Sequence, residues 1–317
     1  MPLLPLRSYF FLALALAPIL TFLRRRSRRS FKLPRQNERI LIIGASSGVG
    51  RTLAHQYSKL GAKGVCVVGR RADKIAEVVA ECNACKGPNT EIIGITGDFA
   101  EVDDMVRTRS QLESRWGGFD TMIVAAGVSA LRPLMEVAGV TSGNVEKEGI
   151  QRVVDVVALA TRGNYVGPLI AAVTFIPLLE SSSPHPSILL VNTLASAIPA
   201  PTRTIYASSK AASLHLYQAL SIEHPRISFT HFLPSTIEGD FRASAVDGGT
   251  AREADPNKTG LKRDKVAHRC IAALDRREKN VFMPWAMGPA HLLYWVWPSF
   301  LEWRASVKYN FSPPVVS

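Results

Sequence analysis

Short apolar runs recur through the middle of the chain, and segments with helical spacing of apolar residues separate them. Uninterrupted apolar runs of this length are typical of strands that are buried on both faces of a parallel sheet. The runs lie at 39–44, 65–69, 91–95, 121–125, 187–191, 228–232 and 281–283. Strands that alternate with helices predict one continuous α/β domain with a doubly wound parallel sheet of seven strands.

The helices between these strands are predicted from the same periodicity. They lie at 50–60, 206–222 and 264–276, and around Asn164, where Gly167-Pro168 bends a longer helix. Two connections are irregular: residues 132–150 are predicted to be a variable connection, and residues 237–260 are polar and rich in glycine. A long irregular connection in a compact domain is often a lid or a binding loop, and a mobile connection without that role is the alternative.

The N-terminal segment is apolar and then basic, since an uncharged run at 8–23 precedes arginines that end at Arg29. As a helix this run is about 24 Å long, which is short for a hydrocarbon core of about 30 Å. Three interpretations of this segment remain open: a signal-anchor helix, a monotopic insertion and a cleaved secretory signal. A mitochondrial transit peptide agrees with the arginine content but not with the continuous apolar run. Charge that follows the apolar run favours a retained anchor, and we expect the endoplasmic reticulum membrane with the catalytic domain in the cytosol.

The C-terminal segment is aromatic. Four of the five tryptophans follow the last predicted strand, namely Trp285, Trp295, Trp297 and Trp303. Tryptophan favours the boundary between membrane and water, and a helix packed on the domain or on the second subunit of a homodimer explains the same residues. The predicted organisation is an anchor with its basic flank at 1–37, a catalytic domain at 38–283 and an aromatic extension at 284–317, with both terminal segments associated with a membrane.

The net charge of +12 is distributed in a way that argues against nucleic acid as a partner. Residues 1–37 hold seven arginines, one lysine and no acidic residue, so they carry eight of these charges. Charge concentrated beside an apolar segment indicates a membrane surface. Four cysteines are too few for a disulfide framework in 317 residues, and Cys82 and Cys85 have no second pair to complete a zinc site. We expect reduced thiols and no metal.

The segment Gly44–Gly50, GASSGVG, follows the first predicted strand and opens the first helix. A strand, a glycine-rich turn and a helix in this order let backbone N–H groups meet a pyrophosphate at the helix N-terminus. Ser46 and Ser47 add hydroxyls that can hydrogen-bond a phosphate, since no nucleophilic-serine motif accompanies them. The segment therefore predicts a dinucleotide site.

Tyr206 and Lys210 lie four residues apart on one face of a predicted helix, so the ammonium can lie near the phenol. A nearby cation favours the phenolate, and we expect it to lower the pKa of the tyrosine from about 10. Such a phenol can give a proton to a carbonyl oxygen, or take one back, near neutral pH.

Together these motifs resemble those of the short-chain dehydrogenase/reductase family, over roughly 39–283. The Gly-x-x-x-Gly-x-Gly pattern of the family is matched by Gly44, Gly48 and Gly50, and its Tyr-x-x-x-Lys pattern by Tyr206 and Lys210. The resemblance implies a single Rossmann domain with a nicotinamide cofactor. It also implies a reaction that interconverts a ketone and an alcohol, and assembly into dimers or tetramers.

The resemblance implies two further catalytic residues. Asn164 matches the family's helix asparagine, and Thr193 stands where the family usually has serine, with Ser196 as a weaker alternative. Threonine keeps the hydroxyl but adds a methyl group. Two other departures are Val-Ala-Ala-Gly at 124–127 in place of Asn-Asn-Ala-Gly, and Pro-Ser at 234–235 in place of Pro-Gly.

The coenzyme is predicted from the residues after the second strand. Arg70 and Arg71 follow Gly69, with no acidic residue to bind a ribose 2′-hydroxyl, so they favour the 2′-phosphate of NADP. Two solvated loop arginines are the alternative. The resemblance adds Asp98 at the adenine, with a loop-capping role as its alternative. The predicted cofactor-binding residues are Gly44, Ser46, Ser47, Gly48, Val49, Gly50, Arg70, Arg71, Asp98, Ala126, Gly127, Tyr206, Lys210 and Ile237.

The sequence therefore predicts a membrane-associated, NADPH-dependent reductase of a hydrophobic ketone, with a lipid, steroid or acyl-chain substrate. By the resemblance, Tyr206 protonates the oxygen, Lys210 supports the phenol and the ribose hydroxyls, Thr193 hydrogen-bonds the carbonyl oxygen, and Asn164 places a water beside Lys210. An NAD-dependent alcohol dehydrogenase of the same fold and a non-catalytic cofactor-binding or scaffold protein on a membrane are the alternatives.

Overall fold

A seven-stranded parallel sheet forms the centre of the protein. The computed structural model describes residues 28–140, 143–250, 252 and 254–312. The strands are β1 (Arg39–Ile43), β2 (Gly64–Gly69), β3 (Glu91–Thr96), β4 (Thr121–Val124), β5 (Ser187–Val191), β6 (Ser228–Pro234) and β7 (Asn280–Met283). Their order is β3-β2-β1-β4-β5-β6-β7, and each neighbouring pair is parallel. The predicted doubly wound α/β fold is confirmed.

Helices cover both faces of the sheet. The longer ones are α1 (Gly48–Lys59), α2 (Ala72–Cys85), α3 (Val102–Trp116), α4 (Lys147–Thr161), α5 (Gly167–Ser182), α6 (Thr204–Glu223), α7 (Arg263–Arg276), α8 (Met287–Val296) and α9 (Pro298–Lys308). Short helical turns occur at Arg29–Lys32, Arg35–Asn37, Leu134–Ala138, Leu194–Ser196, Phe241–Ser244 and Pro256–Thr259. The two connections predicted as irregular therefore contain short turns of helix.

Strand β1 shows why the strands lack alternating polar residues. Ile40 and Ile42 pack into the core layer formed with α1, α2 and α7. Leu41 and Ile43 pack into the opposite layer, formed with α3, α5 and α6. Successive side chains of a strand point to opposite faces, so a strand that is covered on both faces is apolar throughout. The rigid strands then hold the loops at their carboxyl ends in fixed positions.

The helix around Asn164 is irregular directly before Gly167-Pro168, where the sequence predicted a bend. A five-residue π-helical turn, Arg162–Val166, separates α4 from α5. Pro168 lies in the first turn of α5, but the helical run continues through the π turn, so the proline removes a hydrogen bond to the preceding turn and favours a local distortion there. The bend predicted at Gly167-Pro168 stays a prediction. Asn164 lies at the centre of the π turn and is fully buried, as is common for π turns at functional sites.

One helical run among the described residues, Lys147–Ser182, is long and apolar enough to cross a membrane. It is a weak candidate, because packing explains its composition: Phe175 and Leu179 of α5 are fully buried against the sheet. The anchor predicted at 8–23 lies outside the described residues, as do the arginines at 24–26.

Arg29, in the basic flank, is buried at the amino edge of the sheet. Its guanidinium donates to Glu38 Oε1 at 2.5 Å and to the carbonyl oxygen of Asp120 at 2.9 Å. Arg35 also donates to Glu38 and binds both carboxylate oxygens of Asp275 in α7 at 2.8 Å. Burial alone would raise the pKa of Glu38, but the two arginines outweigh it and hold that pKa below its usual value. From Arg29 onward, the basic flank is thus part of the folded domain.

The C-terminal helices pack at the opposite, carboxyl edge. His291 Nδ1 of α8 lies 2.8 Å from the carbonyl oxygen of Ala197, which follows β5. The His291 ring also stacks on Phe282 of β7, with centroids 6.3 Å apart. The outward side chains of this region are large and apolar, namely Trp285, Leu292, Trp295, Val296, Trp297 and Trp303. An apolar surface therefore lies at the same edge of the sheet as the glycine loop.

Candidate active site

The three glycines of the loop after β1 meet three different steric demands. Gly44 has φ +89°, and a Cβ there would lie 2.5 Å from the backbone nitrogen of Ala126, which follows β4. Gly48 has φ +57° and open space where its side chain would be. A Cβ on Gly50 would lie 2.3 Å from the carbonyl oxygen of Gly44. The glycines allow a tight turn, an open cradle and close packing of helix on strand, so the loop fits a dinucleotide pyrophosphate.

Arg71 is the arginine that contacts the glycine loop. Its Nη2 donates to Ser46 Oγ at 3.1 Å and to Ser47 Oγ at 3.3 Å. Gly69, at the end of β2, leaves room beside Ser46, because a Cβ there would lie 3.2 Å from Ser46 Cβ. Arg70 is exposed beside it. A guanidinium and two hydroxyls therefore converge at the point where an adenosine ribose lies in this fold.

The remaining predicted cofactor residues lie along the same edge. Val49 is half-buried in the first turn of α1, against the core. Asp98, after β3, accepts a hydrogen bond from the backbone N of Ala100 at 3.0 Å, which is the loop-capping role. Ile237, after β6, is half-buried and pairs with Leu261. Their contact with a cofactor stays a prediction.

Tyr206 lies in the first turn of α6, and Thr193 lies just beyond β5. The hydroxyl of Thr193 lies near enough to the Tyr206 phenol to lower the pKa of that phenol. Ser196, the weaker alternative, donates its hydroxyl to the carbonyl oxygen of Thr193 at 2.7 Å. Thr193 Oγ1 accepts from the backbone N of Ala195 at 3.3 Å and keeps its own proton to donate, so Thr193 is the better placed of the two to meet a substrate oxygen.

Asn192 carries no motif signal, yet it positions Thr193. Its Oδ1 accepts from the backbone N of Thr193 at 2.8 Å, and its Nδ2 donates to the carbonyl oxygen of Lys210 at 3.0 Å. The amide is buried, so it ties the end of β5 to the middle of α6. This link fixes the Thr193 hydroxyl relative to the helix that carries Tyr206 and Lys210. An asparagine directly after a predicted buried strand was the signal available in the sequence.

Lys210 is buried one helical turn after Tyr206. Its ammonium donates to the carbonyl oxygen of Val191, at the end of β5, at 3.0 Å. Gly127 makes room for it, since a Cβ there would lie 3.5 Å from Lys210 Nζ and 2.8 Å from Asn164 Oδ1. Burial lowers the pKa of Lys210 to about 8, because desolvation disfavours the charged form.

Asn164 braces the loop after β4. Its Oδ1 accepts from the backbone N of Val128 at 2.9 Å, and its Nδ2 donates to the Val128 carbonyl oxygen and to Ser209 Oγ, both at 3.0 Å. The π turn thus joins the β4 loop to α6 beside Gly127. These contacts do not involve Lys210, so the role of Asn164 in placing a water next to Lys210 stays a prediction.

The pKa of Tyr206 is raised above its usual value, in contrast to the sequence expectation. Burial is the largest cause, and the hydrogen bond from Thr193 and the positive charges of Arg203 and Arg242 offset it only in part. The Lys210 ammonium bonds to the backbone of β5 instead. The phenol is therefore held in its protonated form, and the cations that act on it differ from the one predicted.

Residues 38–248 match the family described as short chain dehydrogenase. The 11-beta-hydroxysteroid dehydrogenase-like 4A of Arabidopsis thaliana is 30% identical over 200 residues. That alignment covers 63% of this chain and 60% of the relative, so the chain spans about three fifths of that relative's length.

Solved structures share the fold. A short chain dehydrogenase/reductase from Burkholderia phymatum in complex with NAD has a TM-score of 0.68 and 18% identity, covering 88% of this chain and 98% of that one. A short chain dehydrogenase from Burkholderia cenocepacia J2315 in complex with NADP has a TM-score of 0.65 and 18% identity, covering 88% and 100%. Because the two neighbours hold different nicotinamide cofactors, the fold does not distinguish NAD from NADP.

Proposed function

This chain belongs to the short-chain dehydrogenase family, and on that premise we propose that it reduces a ketone on a hydrophobic substrate with NADPH. The family and the fold make it an oxidoreductase that binds a nicotinamide cofactor. One observation carries the proposed reaction: Asn192 ties Thr193 to the helix that holds Tyr206, with Lys210 buried one turn further along that helix.

In the proposed reaction, residues of this chain donate the proton that the alcohol product needs. When bound, a reduced nicotinamide supplies the hydride that adds to the carbonyl carbon. Tyr206 donates its phenolic proton to the carbonyl oxygen, which completes the alcohol and leaves a phenolate that solvent reprotonates. Thr193 orients the phenol and offers its hydroxyl to the same oxygen. Arg203 and Arg242 favour the phenolate electrostatically, so they ease the loss of the proton.

The preference for NADPH is supported by Arg71. Its guanidinium lies at the glycine loop within hydrogen-bond distance of Ser46 and Ser47. A planar, always charged donor in this position suits a 2′-phosphate. Arg70, exposed at the end of β2, adds positive charge nearby.

The hydrophobic substrate class is supported by the surroundings of the phenol. Tyr206 packs edge-on against Phe241, with ring centroids 6.1 Å apart, and against an apolar cluster that includes Ala130 and Ile205. The name of the Arabidopsis relative refers to a hydroxysteroid, so we propose a steroid or another lipid ketone. We propose that the apolar surface of α8 and α9 rests on a membrane, that of the endoplasmic reticulum, and that the catalytic domain faces the cytosol.

We also propose a homodimer, formed through α5 and α6. An apolar groove on these helices is lined by Leu169, Val173, Ile176, Leu216 and Leu220. Val173 in this groove is 72% exposed, and a contiguous exposed apolar patch is typical of an interaction surface. Sedimentation of the detergent-held protein as one subunit would rule this assembly out.

The test of the proposed reaction is Tyr206→Phe, assayed with NADPH and two ketone probes, a ketosteroid and a dodecanone. The substitution removes the proton donor and keeps the ring, so we expect turnover to fall about 10²-fold or more. The affinity for NADPH, measured by fluorescence titration, is expected to change little. Full turnover in the variant would refute the assignment.

A matched control lies on the same helix. Tyr217 of α6 is fully buried, and its hydroxyl donates to the carbonyl oxygen of Pro168 at 2.9 Å, away from Thr193. Tyr217→Phe removes the same atom and costs about 1 kcal/mol of stability. We expect Tyr217→Phe to keep the turnover of the folded protein. A loss of turnover in Tyr206→Phe alone is then specific to the Tyr206 phenol.

A further inference from the structure

Arg203 is a buried cation next to the proposed proton donor. It precedes α6 by one residue, so it lies three residues before Tyr206, and its side chain is 5% exposed. Its Nη1 lies 3.3 Å from both Ser129 Oγ and the carbonyl oxygen of Ala130, in the loop after β4. A buried guanidinium is costly unless neighbouring groups compensate it, so its contacts identify what it holds in place.

The C-terminal helix supplies one of these contacts. The Arg203 guanidinium carbon lies 5.9 Å from the centroid of the Tyr309 ring, just after α9, which is within the range of a cation–π contact. Because Arg203 lies three residues before Tyr206, this contact places Tyr309 near the proposed site. Three separate parts of the chain therefore meet at one side chain: the β4 loop, the start of α6 and the end of α9.

We propose that Arg203 is a positioning residue that clamps the end of α9 over the substrate side of the site. The proposal rests on the proposed function, because it assigns the clamp to a ketone site at Tyr206. Through Tyr309 the guanidinium holds the C-terminal helix, and through Ser129 and Ala130 it holds the loop that borders the site. Closure by this clamp buries the apolar part of a substrate and excludes water from the phenol.

The clamp predicts a particular kinetic pattern in the full chain held in detergent. Arg203→Gln and Tyr309→Leu each break the cation–π contact, so we expect each to raise KM for the dodecanone about tenfold. Arg203 contacts Ser129 and Ala130 and not the glycine loop or Arg71, so the Kd for NADPH is expected to change less than twofold. Tyr309→Phe keeps the ring and is expected to behave as wild type, and Arg203→Lys is expected to recover part of the loss, since lysine keeps the charge.

The electrostatic part of the role is visible in a pH profile. The groups that act on the Tyr206 phenol are Arg203, Arg242, Tyr309 and the hydroxyl of Thr193; Lys210 lies one turn along. Removing a cation raises the pKa of the phenol, so Arg203→Gln is expected to move the alkaline limb of kcat to higher pH. A purely structural role would not move this limb, and Arg203→Lys is expected to restore it.

Hydrogen–deuterium exchange of residues 298–309 measures the clamp without turnover. We expect faster exchange in Arg203→Gln and Tyr309→Leu, and unchanged exchange in Arg304→Gln, a control that removes an exposed arginine lying 5.8 Å from the Trp303 ring on the same helix. Unchanged exchange and KM in Tyr309→Leu would overturn the clamp even if Arg203→Gln failed to fold. If exchange is faster in Arg203→Gln and Tyr309→Leu but Tyr206→Phe keeps full turnover, the clamp stands and the proposed function is wrong.

Discussion

Lys210 links the stability of the protein to its chemistry. Folding lowers its pKa from 10.5 to about 8, because the ammonium is buried. Between these pH values the unfolded chain binds the proton and the folded chain does not, so the free energy of unfolding rises with pH across that window. Below pH about 8 the folded protein carries a desolvated charge. The residue is therefore retained at a cost to stability, as expected for a group that serves a site.

Substitution of Lys210 by Met tests this cost. We expect Lys210→Met to raise the free energy of unfolding at pH 7 by up to roughly 3 kcal/mol. The lost hydrogen bond to Val191 reduces this gain. Most of the gain should disappear by pH about 10.5, where the unfolded chain no longer binds the proton. Urea unfolding across this pH range measures it. Lys63→Met, at an exposed position, is the control and should leave the pH profile unchanged. Parallel profiles for wild type and Lys210→Met would contradict a lowered pKa.

The sequence supplied the candidate residues of the site but not the charges around them. Tyr206 and Lys210 were predicted from their helical spacing, and Thr193 from its match to the active-site hydroxyl of the family. Arg203 stands one turn before Tyr206, and that spacing was also available. The contact of Arg203 with Tyr309 was not, because the two residues are distant in sequence and no periodicity relates them.

At the level of the elements, the strands were predictable and the interruption in one helix was not. Burial on both faces leaves strands such as β1 without polar residues, and that pattern is visible in any sequence. The π turn at Arg162–Val166 depends instead on tertiary packing, since a Cβ on Gly163 would lie 3.0 Å from Val128 and one on Gly167 would lie 2.3 Å from the Phe99 ring. The sequence prediction of a bend at Gly167-Pro168 rested only on the glycine and proline at those positions.

The loop after β2 is the element that we expect to decide the coenzyme. Arg71→Ala removes a charged donor, which is worth about 1.5–3 kcal/mol. We therefore expect the Kd for NADPH to rise about 10- to 100-fold and the Kd for NADH to change little. Titration of both coenzymes by fluorescence measures the ratio.

Two further variants make this coenzyme test specific. Arg70→Ala removes the neighbouring exposed arginine, which has the same charge. We expect it to weaken NADPH binding less than Arg71→Ala does. Arg107→Ala, on α3 and hydrogen-bonded to Asp104, is the control for charge alone. Equal losses for NADPH and NADH in Arg71→Ala would reject a 2′-phosphate site, and a larger loss in Arg70→Ala would assign the site to that residue.

For the whole molecule, the two ends of the described chain lie at opposite edges of the sheet. Arg29 is fixed at the amino edge by Glu38 and Asp120, whereas α8 packs at the carboxyl edge through His291. The proposed catalytic residues also lie at the carboxyl edge, as ligand sites do in open parallel sheets. Of these two ends, the aromatic one therefore borders the site, and a lipid-dissolved ketone would reach Tyr206 past α8 and α9.

This arrangement predicts that the tryptophans of α8 and α9, and not the rest of the surface, enter a bilayer. In vesicles that contain lipids brominated near the headgroup, we expect strong quenching of the tryptophan fluorescence of the full chain. Trp295 and Trp297 are 78% and 58% exposed, so the double variant Trp295→Ser, Trp297→Ser should lose most of the quenching. The double variant Val102→Ser, Val106→Ser removes exposed apolar side chains from α3 and should keep it. Wild-type protein that binds the vesicles without any quenching would show that α8 and α9 face another protein surface or solvent, because bromine quenches only at close range, and substrate would then have to enter from water.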